Sequence, residues 1–373
     1  MQSMMPQASL SMTGLDLSGV SFTLRKHLPF TAELEQCVPL AGDASNRRYY
    51  RLHLSMAPVS SVILMKLADP EGFKASEEAV SGAGGDVTEL PFTNILKHLQ
   101  KNGVQVPELY FYDESSGLLY LEDFGDVTLA QAWQGSTPAI GEDLYCKAVD
   151  QLVQLHLRAS HPSSAPCVAL TRSFDVPLYL WEFDHFLEYG IVARRGRLMC
   201  ANDYVPVREE FQKIAEWLTS QPQVFTHRDY HSRNLMVDGE RLGVIDFQDA
   251  LMGPVTYDLA SLLRDSYIAL DEGVIDRLIA RYVEGMRRNL SCSQQSAMLF
   301  HDPEAFRRLF DFTSIQRNLK AAGRFVYIDR VKGNSSFLAS IPRTLKNVRA
   351  NLEKYPQLHR LLTHLSPYIP EWR

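Results

Sequence analysis

The sequence predicts an α+β protein with two lobes, a small, mainly antiparallel β N-terminal lobe and a larger, mainly helical C-terminal lobe. Three observations carry this. From Cys37 to Leu121 short apolar runs alternate with polar turns, the spacing of strands. After Glu122-Asp123-Phe124-Gly125-Asp126 the apolar period changes from about two to about 3.6 residues. Amid the helices that follow, a single stretch, Val224 to Asp258, reverts to short apolar runs around a polar loop. The expected division is a loose tail over 1–20, an N-lobe over 21–124 and a helical C-lobe over 125–373.

Composition narrows the classes. The chain has 373 residues, 45% hydrophobic and 22% charged, which suits a globular protein of about two lobes. A net charge of −6 without a basic run argues against nucleic acid as a partner. Cys37, Cys146, Cys167, Cys200 and Cys292 form no C-x-x-C pair and read as reduced thiols rather than a disulfide frame or zinc site. The start is neither a signal peptide nor a membrane anchor, and no apolar run approaches the roughly twenty residues needed to span a bilayer. A cytoplasmic monomer is expected.

In order, Met1 to about residue 20 is Met-, Ser- and Gln-rich. CVPLAGDASNRRYYRLHL reads as strand, turn, strand. Its turn, with Gly42, Asp43, Ala44 and Ser45, is small and polar enough for backbone amides to approach a phosphate, although an ordinary hairpin turn has the same composition. Ser61 to Leu67 is an apolar strand with Lys66 near its end. That lysine is either an edge charge or, one hairpin after a phosphate loop, a partner for phosphates. Asp69 to Leu90 lacks Gly-Lys-Ser/Thr and is no Walker loop. PFTNILKHLQ starts on proline and spaces Phe92, Ile95, Leu96 and Leu99 as a helix. Glu77, Glu78 and Glu89 are the nearby acids, and Glu89 is the expected partner of Lys66. Strands at Glu108–Tyr112 and Leu118–Leu121 follow. The exit through Glu122 fits a hinge whose backbone could bind adenine.

Helices are then expected over Glu142–Ala159, Tyr179–Val192, Tyr204–Leu218, Val274–Arg288, from Pro303 to about Ile328, and from Ile341 to about Leu352. His156 is read as packing or capping. Glu182, Asp184, His185 and Glu188 are read as one helix's polar face. Gln316, Arg317, Lys320 and Arg324 are read as a solvated basic face, with a substrate-facing patch as the alternative.

The central stretch is VFTHRDYHSRNLMVDGERLGVIDFQDALMGPVTYD. Two strands joined at Asp238-Gly239 hold Asp229 and Asn234 at one end and bring Asp246 close. Phosphoryl transfer asks for such a set: one carboxylate beside the attacking hydroxyl and oxygen ligands for magnesium on the phosphates. Asp229 is the expected catalytic carboxylate, with Asn234 and Asp246 as metal ligands. Asp258, in the first turn of a helix, suits the helix dipole or holds the loop from behind.

H-R-D-x-x-x-x-N followed by I-D-F resembles the catalytic and metal-binding loops of the protein-kinase-like fold. LAGDASNRRYYR, LYLEDFGDVTL, THRDYHSRNLMV, GVIDFQDALMGPVTYDLASLLRDSY and IQRNLKAAGRF together resemble its aminoglycoside-phosphotransferase-like branch, and within it the bacterial kinases of N-acetylmuramate and N-acetylglucosamine. The resemblance spans about residues 38–328. It implies ATP and Mg2+ as cofactors, Asp229 as the catalytic aspartate, Asn234 and Asp246 on the metal, and an amino sugar as small-molecule acceptor. Too few residues separate Asp246 from Asp258 for a protein-kinase activation segment, and A-P-E is absent. The alternatives are an aminoglycoside or other small-molecule phosphotransferase, favoured by an acidic pocket, and a catalytically silent kinase-like binding protein.

Overall fold

The computed structural model describes residues 15–40, 47–67, 89–162, 165–289 and 294–373. Gly42, Asp43, Ala44 and Ser45 lie outside them. The chain divides into two compact units, one of residues 1–71 with Pro107–Phe124, the other of 72–106 with Gly125–Arg373.

The smaller unit is a five-stranded antiparallel sheet in the order β1-β2-β3-β5-β4. Its strands are β1 (Glu33–Pro39), β2 (Arg48–Ser55), β3 (Ser61–Lys66), β4 (Leu109–Asp113) and β5 (Leu118–Glu122). Period two is plain in β2, where Tyr50, Leu52 and Leu54 point inward between more exposed neighbours. They meet Val62, Leu64, Leu118 and Tyr120 in one apolar cluster. A helix, Leu17–Lys26, closes the cluster with Val20 and Leu24 and is capped by Asp16, whose carboxylate accepts from the Ser18 amide at 3.0 Å. The stretch expected as tail to about residue 20 is therefore helical from Leu17 onward. Burying two aliphatic side chains stabilises that helix by roughly 3–6 kcal/mol before chain entropy is charged.

The larger unit is mainly helical. Its helix Pro91–Lys101, expected in the N-lobe, makes its contacts here. Phe92 stacks on Phe247 at 5.0 Å, and Asn94 donates to the Pro166 carbonyl at 3.0 Å while accepting from the Val168 amide at 2.8 Å. The long helices are Pro138–Ala159, Ala201–Thr219, Glu272–Asn289 and Pro303–Lys332. The last is capped by Asp302 and stops at Gly333, whose φ of 70° is the left-handed conformation glycine permits.

The expected helix over Tyr179–Val192 is instead an α-helix, Val176–His185, running into a π-helix, Phe186–Ala193. Helix Pro303–Lys332 passes this wider coil at Gly323, where an added Cβ would stand 2.8 Å from Phe186 Cα and 3.1 Å from the His185 carbonyl. Two small sheets carry the polar loops: β6 (Gln223–Thr226) with β9 (Leu251–Pro254), and β7 (Leu235–Asp238) with β8 (Arg241–Val244). Between Asp238 and Arg241 Gly239 takes φ 57°, as a tight hairpin requires.

Candidate active site

Strand β6 ends at Thr226 and releases the chain into the loop His227–Asn234. Strand β9, its partner, leads into helix Tyr257–Leu263, which puts Asp258 directly behind that loop. The fully buried Asp258 carboxylate accepts from the His227 amide at 2.6 Å and the Arg228 amide at 3.0 Å. Two backbone donors thus replace water for a buried charge. They also hold Arg228 at φ 75°, a conformation a residue with a side chain adopts only when its surroundings enforce it. A second buried acid, Asp265, binds both the amide (2.9 Å) and the hydroxyl of Ser232. His156 packs beneath, its ring bonded to the Tyr282 hydroxyl at 2.6 Å, a structural role as expected.

The three expected functional residues are tied into one network. His227 Nδ1 accepts from the Asp229 amide at 3.2 Å, which places the ring proton on Nε2, donated to the Ile245 carbonyl at 3.0 Å. The Ile245 amide donates to the Asn234 carbonyl at 3.1 Å, and Asn234 Nδ2 donates to the Asp229 carbonyl at 3.0 Å. The Asn234 amide nitrogen is thereby committed, leaving its oxygen for a cation. Asp246 follows at φ 65°, exposed to solvent, with Oδ1 accepting from Gln248 Nε2 at 2.9 Å.

Asp229 differs from these pinned groups. Among the described residues its carboxylate accepts no hydrogen bond. Burial pushes its carboxyl up, but the charges of Lys320, His231, Arg317 and Arg228 outweigh that and hold it at about 2. Burial pushes the His231 imidazole the other way, below its ordinary value.

The cations come from the helix face expected to be solvated. That default expectation fails, because every residue from Leu309 to Leu319 is buried, Gln316 and Arg317 included. Glu182 explains the inward turn. Fully buried, it accepts from Arg228 Nη2 at 2.8 Å and Gln316 Nε2 at 2.6 Å and lies 2.7 Å from Lys320 Nζ. It is therefore an interior counter-ion, not part of a polar face. Arg317 Nε donates to the Ser261 hydroxyl, which lies 3.5 Å from the Arg228 carbonyl. Sequence reasoning missed Glu182, Asp265 and Gln248. A sign was available for the first: Glu182 lies between Trp181 and Phe183 in an aromatic-rich run, where an acid that turns inward needs a partner.

The remaining expected residues fall elsewhere. Lys66 ends β3, paired in register with Arg48 and Leu118. Glu122 ends β5, its amide donating to the Glu108 carbonyl at 2.8 Å and its side chain accepting from the Glu108 amide at 3.1 Å. Both belong to the smaller unit. Glu89 belongs to the larger one, where Lys97 Nζ donates to it at 2.5 Å and Asn94 Nδ2 at 3.3 Å. That carboxylate is engaged by the helix it precedes.

Residues 36–290 match the profile described as "Phosphotransferase enzyme family". The N-acetylmuramate/N-acetylglucosamine kinase of Neisseria meningitidis serogroup B is 32% identical over 85% of this chain and 86% of its own length. The protein of the same name from Pseudomonas aeruginosa is 26% identical over 87% and 86%. In structure, a choline/ethanolamine kinase family protein from Mesorhizobium loti superposes with TM-score 0.55 at 15% identity, covering 94% of this chain and 98% of that one. An ADP-bound aminoglycoside phosphotransferase superposes with TM-score 0.54 at 13% identity, covering 88% and 97%. At such identities these likenesses speak for the two-lobe kinase-like fold alone.

Proposed function

Because the chain belongs to the phosphotransferase enzyme family and is a small-molecule kinase acting on a hydroxyl, we propose that it transfers the γ-phosphate of ATP to an amino sugar of the N-acetylmuramate and N-acetylglucosamine class. The observation that carries the reading is Asp229, a carboxylate kept ionised by the neighbouring Lys320, Arg317 and Arg228 and free to accept an acceptor hydroxyl.

A carboxyl held at about 2 is too weak a base to deprotonate a sugar hydroxyl in advance. Asp229 orients the hydroxyl oxygen and takes its proton as the bond to phosphorus forms, the late transfer expected of a loose transition state. Magnesium fits the residues present. The Asn234 oxygen and the exposed Asp246 carboxylate are hard oxygen donors, and Mg2+ is commonly held by one or two such groups together with phosphates and water. Bound there, the ion would neutralise charge on the transferring group. Lys66 is assigned to the phosphates, the backbone of Gly42 to Ser45 to a phosphate cradle and the chain at Glu122 to adenine, each open to single substitution. The surplus of cations around Asp229 speaks against a polycationic aminoglycoside, since Glu182, the acid that would attract one, is already shared by Arg228 and Lys320.

ADP release with Mg-ATP is the test, against N-acetylmuramate, N-acetylglucosamine, plain hexoses, choline and an aminoglycoside, with Asp229→Asn as blank. Turnover confined to the N-acetylated sugars and lost in the blank supports the reading. Turnover on an aminoglycoside or choline alone would refute the substrate while keeping the chemistry.

A further inference from the structure

We propose that Arg233, in the loop between Asp229 and Asn234, binds an ionised carboxylate on the acceptor and so favours an acid-bearing amino sugar over its neutral counterpart. The inference rests on the amino-sugar reading above and adds to it which member of the class this loop selects.

The loop holds two arginines in opposite states. Arg228 is buried and paired with Glu182 at 2.8 Å. Arg233 is exposed and has no carboxylate partner among the described residues. Its place beside the reacting groups follows from the chain itself, for it stands four positions after Asp229 and immediately before Asn234. Even fully extended, four residues reach only about 14 Å. This turn is shorter because it is closed: the Arg233 amide donates to His231 Nδ1 at 3.3 Å, and the Asn234 amide to the His231 carbonyl at 2.9 Å.

An exposed arginine usually swings through many rotamers, but this one has a bed. Its guanidinium carbon lies 3.7 Å from the centre of the Tyr267 ring and 5.9 Å from that of Phe337. At the shorter distance the planar group rests on the ring face. Asp265 ties bed and loop together. One of its carboxylate oxygens accepts from the Ser232 amide at 2.9 Å and the other from the Tyr267 amide at 2.7 Å. The residue before Arg233 and the ring beneath it thus share one buried anchor. Stacking takes up the face of the guanidinium and leaves its edge, with the paired N–H donors, to solvent. Two parallel donors on a held plane match a carboxylate in bidentate fashion. In the reading above, the donor phosphates have Lys66 and magnesium, while Arg228 and Lys320 already share Glu182. An acid on the acceptor therefore finds its counter-charge at Arg233.

The test measures kcat/KM for N-acetylmuramate, its methyl ester and N-acetylglucosamine at saturating Mg-ATP. N-acetylmuramate is N-acetylglucosamine with a lactyl ether, and the ester keeps that ether without its charge. Wild type is compared with Arg233→Gln, Arg233→Lys, Tyr267→Leu and Tyr267→Phe. The preference for N-acetylmuramate over N-acetylglucosamine is expected to fall about tenfold in Arg233→Gln. That is the low end for a hydrogen bond to a charged group, because this one stands in water. The ester should lose the same factor in wild type and nothing further in Arg233→Gln. Arg233→Lys, which keeps the charge and loses the fork, should lie between. Tyr267→Leu, which removes the bed, should lower the ratio, and Tyr267→Phe should keep it. An unchanged ratio in Arg233→Gln, at whatever turnover, would overturn this inference alone. If the KM for ATP rose as well, Arg233 would belong to the donor phosphates. Wild type inactive on both sugars would instead sink the amino-sugar reading, and this inference with it.

Discussion

The two loops that carry the oxygen groups are held in different ways. His227–Asn234 is pinned from behind by two buried acids, Asp258 and Asp265, which take three backbone donors at 3.0 Å or less. The segment bearing Asp246 leans on that loop through Ile245, and the Asp246 carboxylate stands in solvent with a single side-chain partner, Gln248, among the described residues. The contrast fits the demands that the proposed reading makes of each position. A hydroxyl must be aligned to within a fraction of an ångström, which calls for a rigid mount. A metal ligand has to exchange water for an ion that enters and leaves with its nucleotide, which calls for access.

This contrast can be broken from either side. The largest effect is expected from Asp229→Asn, which should lower kcat by about a thousandfold, the range of a lost general base, while circular dichroism and cooperative unfolding persist. Next, Asp258→Ala leaves two buried amides unpaired and should cost about 2–4 kcal/mol in denaturant unfolding, with Asn, which restores one acceptor, costing less. A wild-type-like midpoint for Asp258→Ala would show that the loop does not depend on it. On the exposed side, Gln248→Leu should leave unfolding nearly unchanged but raise the Mg2+ concentration for half-maximal rate by about tenfold, the lower end of what a lost outer partner costs a metal ligand.

The smallest effect is in acid. Asp229 is held at about 2, below the ordinary aspartate value near 3.9. A carboxyl depressed on folding contributes stability above its unfolded value and loses it as pH falls through the folded one. The advantage of wild type over Asp229→Asn should therefore be present at pH 6 and shrink between about pH 4 and pH 2. Lys320→Met removes a cation and should raise the lower edge of that window.

How much of this was legible depended on whether a residue answers to its neighbours in sequence. Strands β2, β3 and β5 read correctly because their inward residues alternate locally, and the hairpin at Gly239 because its turn is local too. The loop His227–Asn234 was legible as a motif, and Asp258 as a possible anchor behind it. Glu182, Gln316 and Lys320 were not, because Glu182 meets Arg228 46 residues along the chain and Gln316 134 residues along it, on separate elements. A helix buried on all sides along Leu309–Leu319 also presents no stripe by which to tell its inner charges from outer ones. The π-helix over Phe186–Ala193 leaves the same apolar trace as an α-helix would.

Gly323 gives that helix a mechanical property. With backbone of the π-helix occupying the space a Cβ would need, the contact acts as a depth stop that fixes where the rod sits along its own axis. Arg317 lies six residues away, about 9 Å along the rod, and moves rigidly with it. Substituting a single methyl group at the stop would shift the whole row of cations against a stationary Asp229. The ionisation of Asp229 would thus depend on a residue that does not touch it, much as a worn stop spoils the aim of an instrument whose lenses are intact.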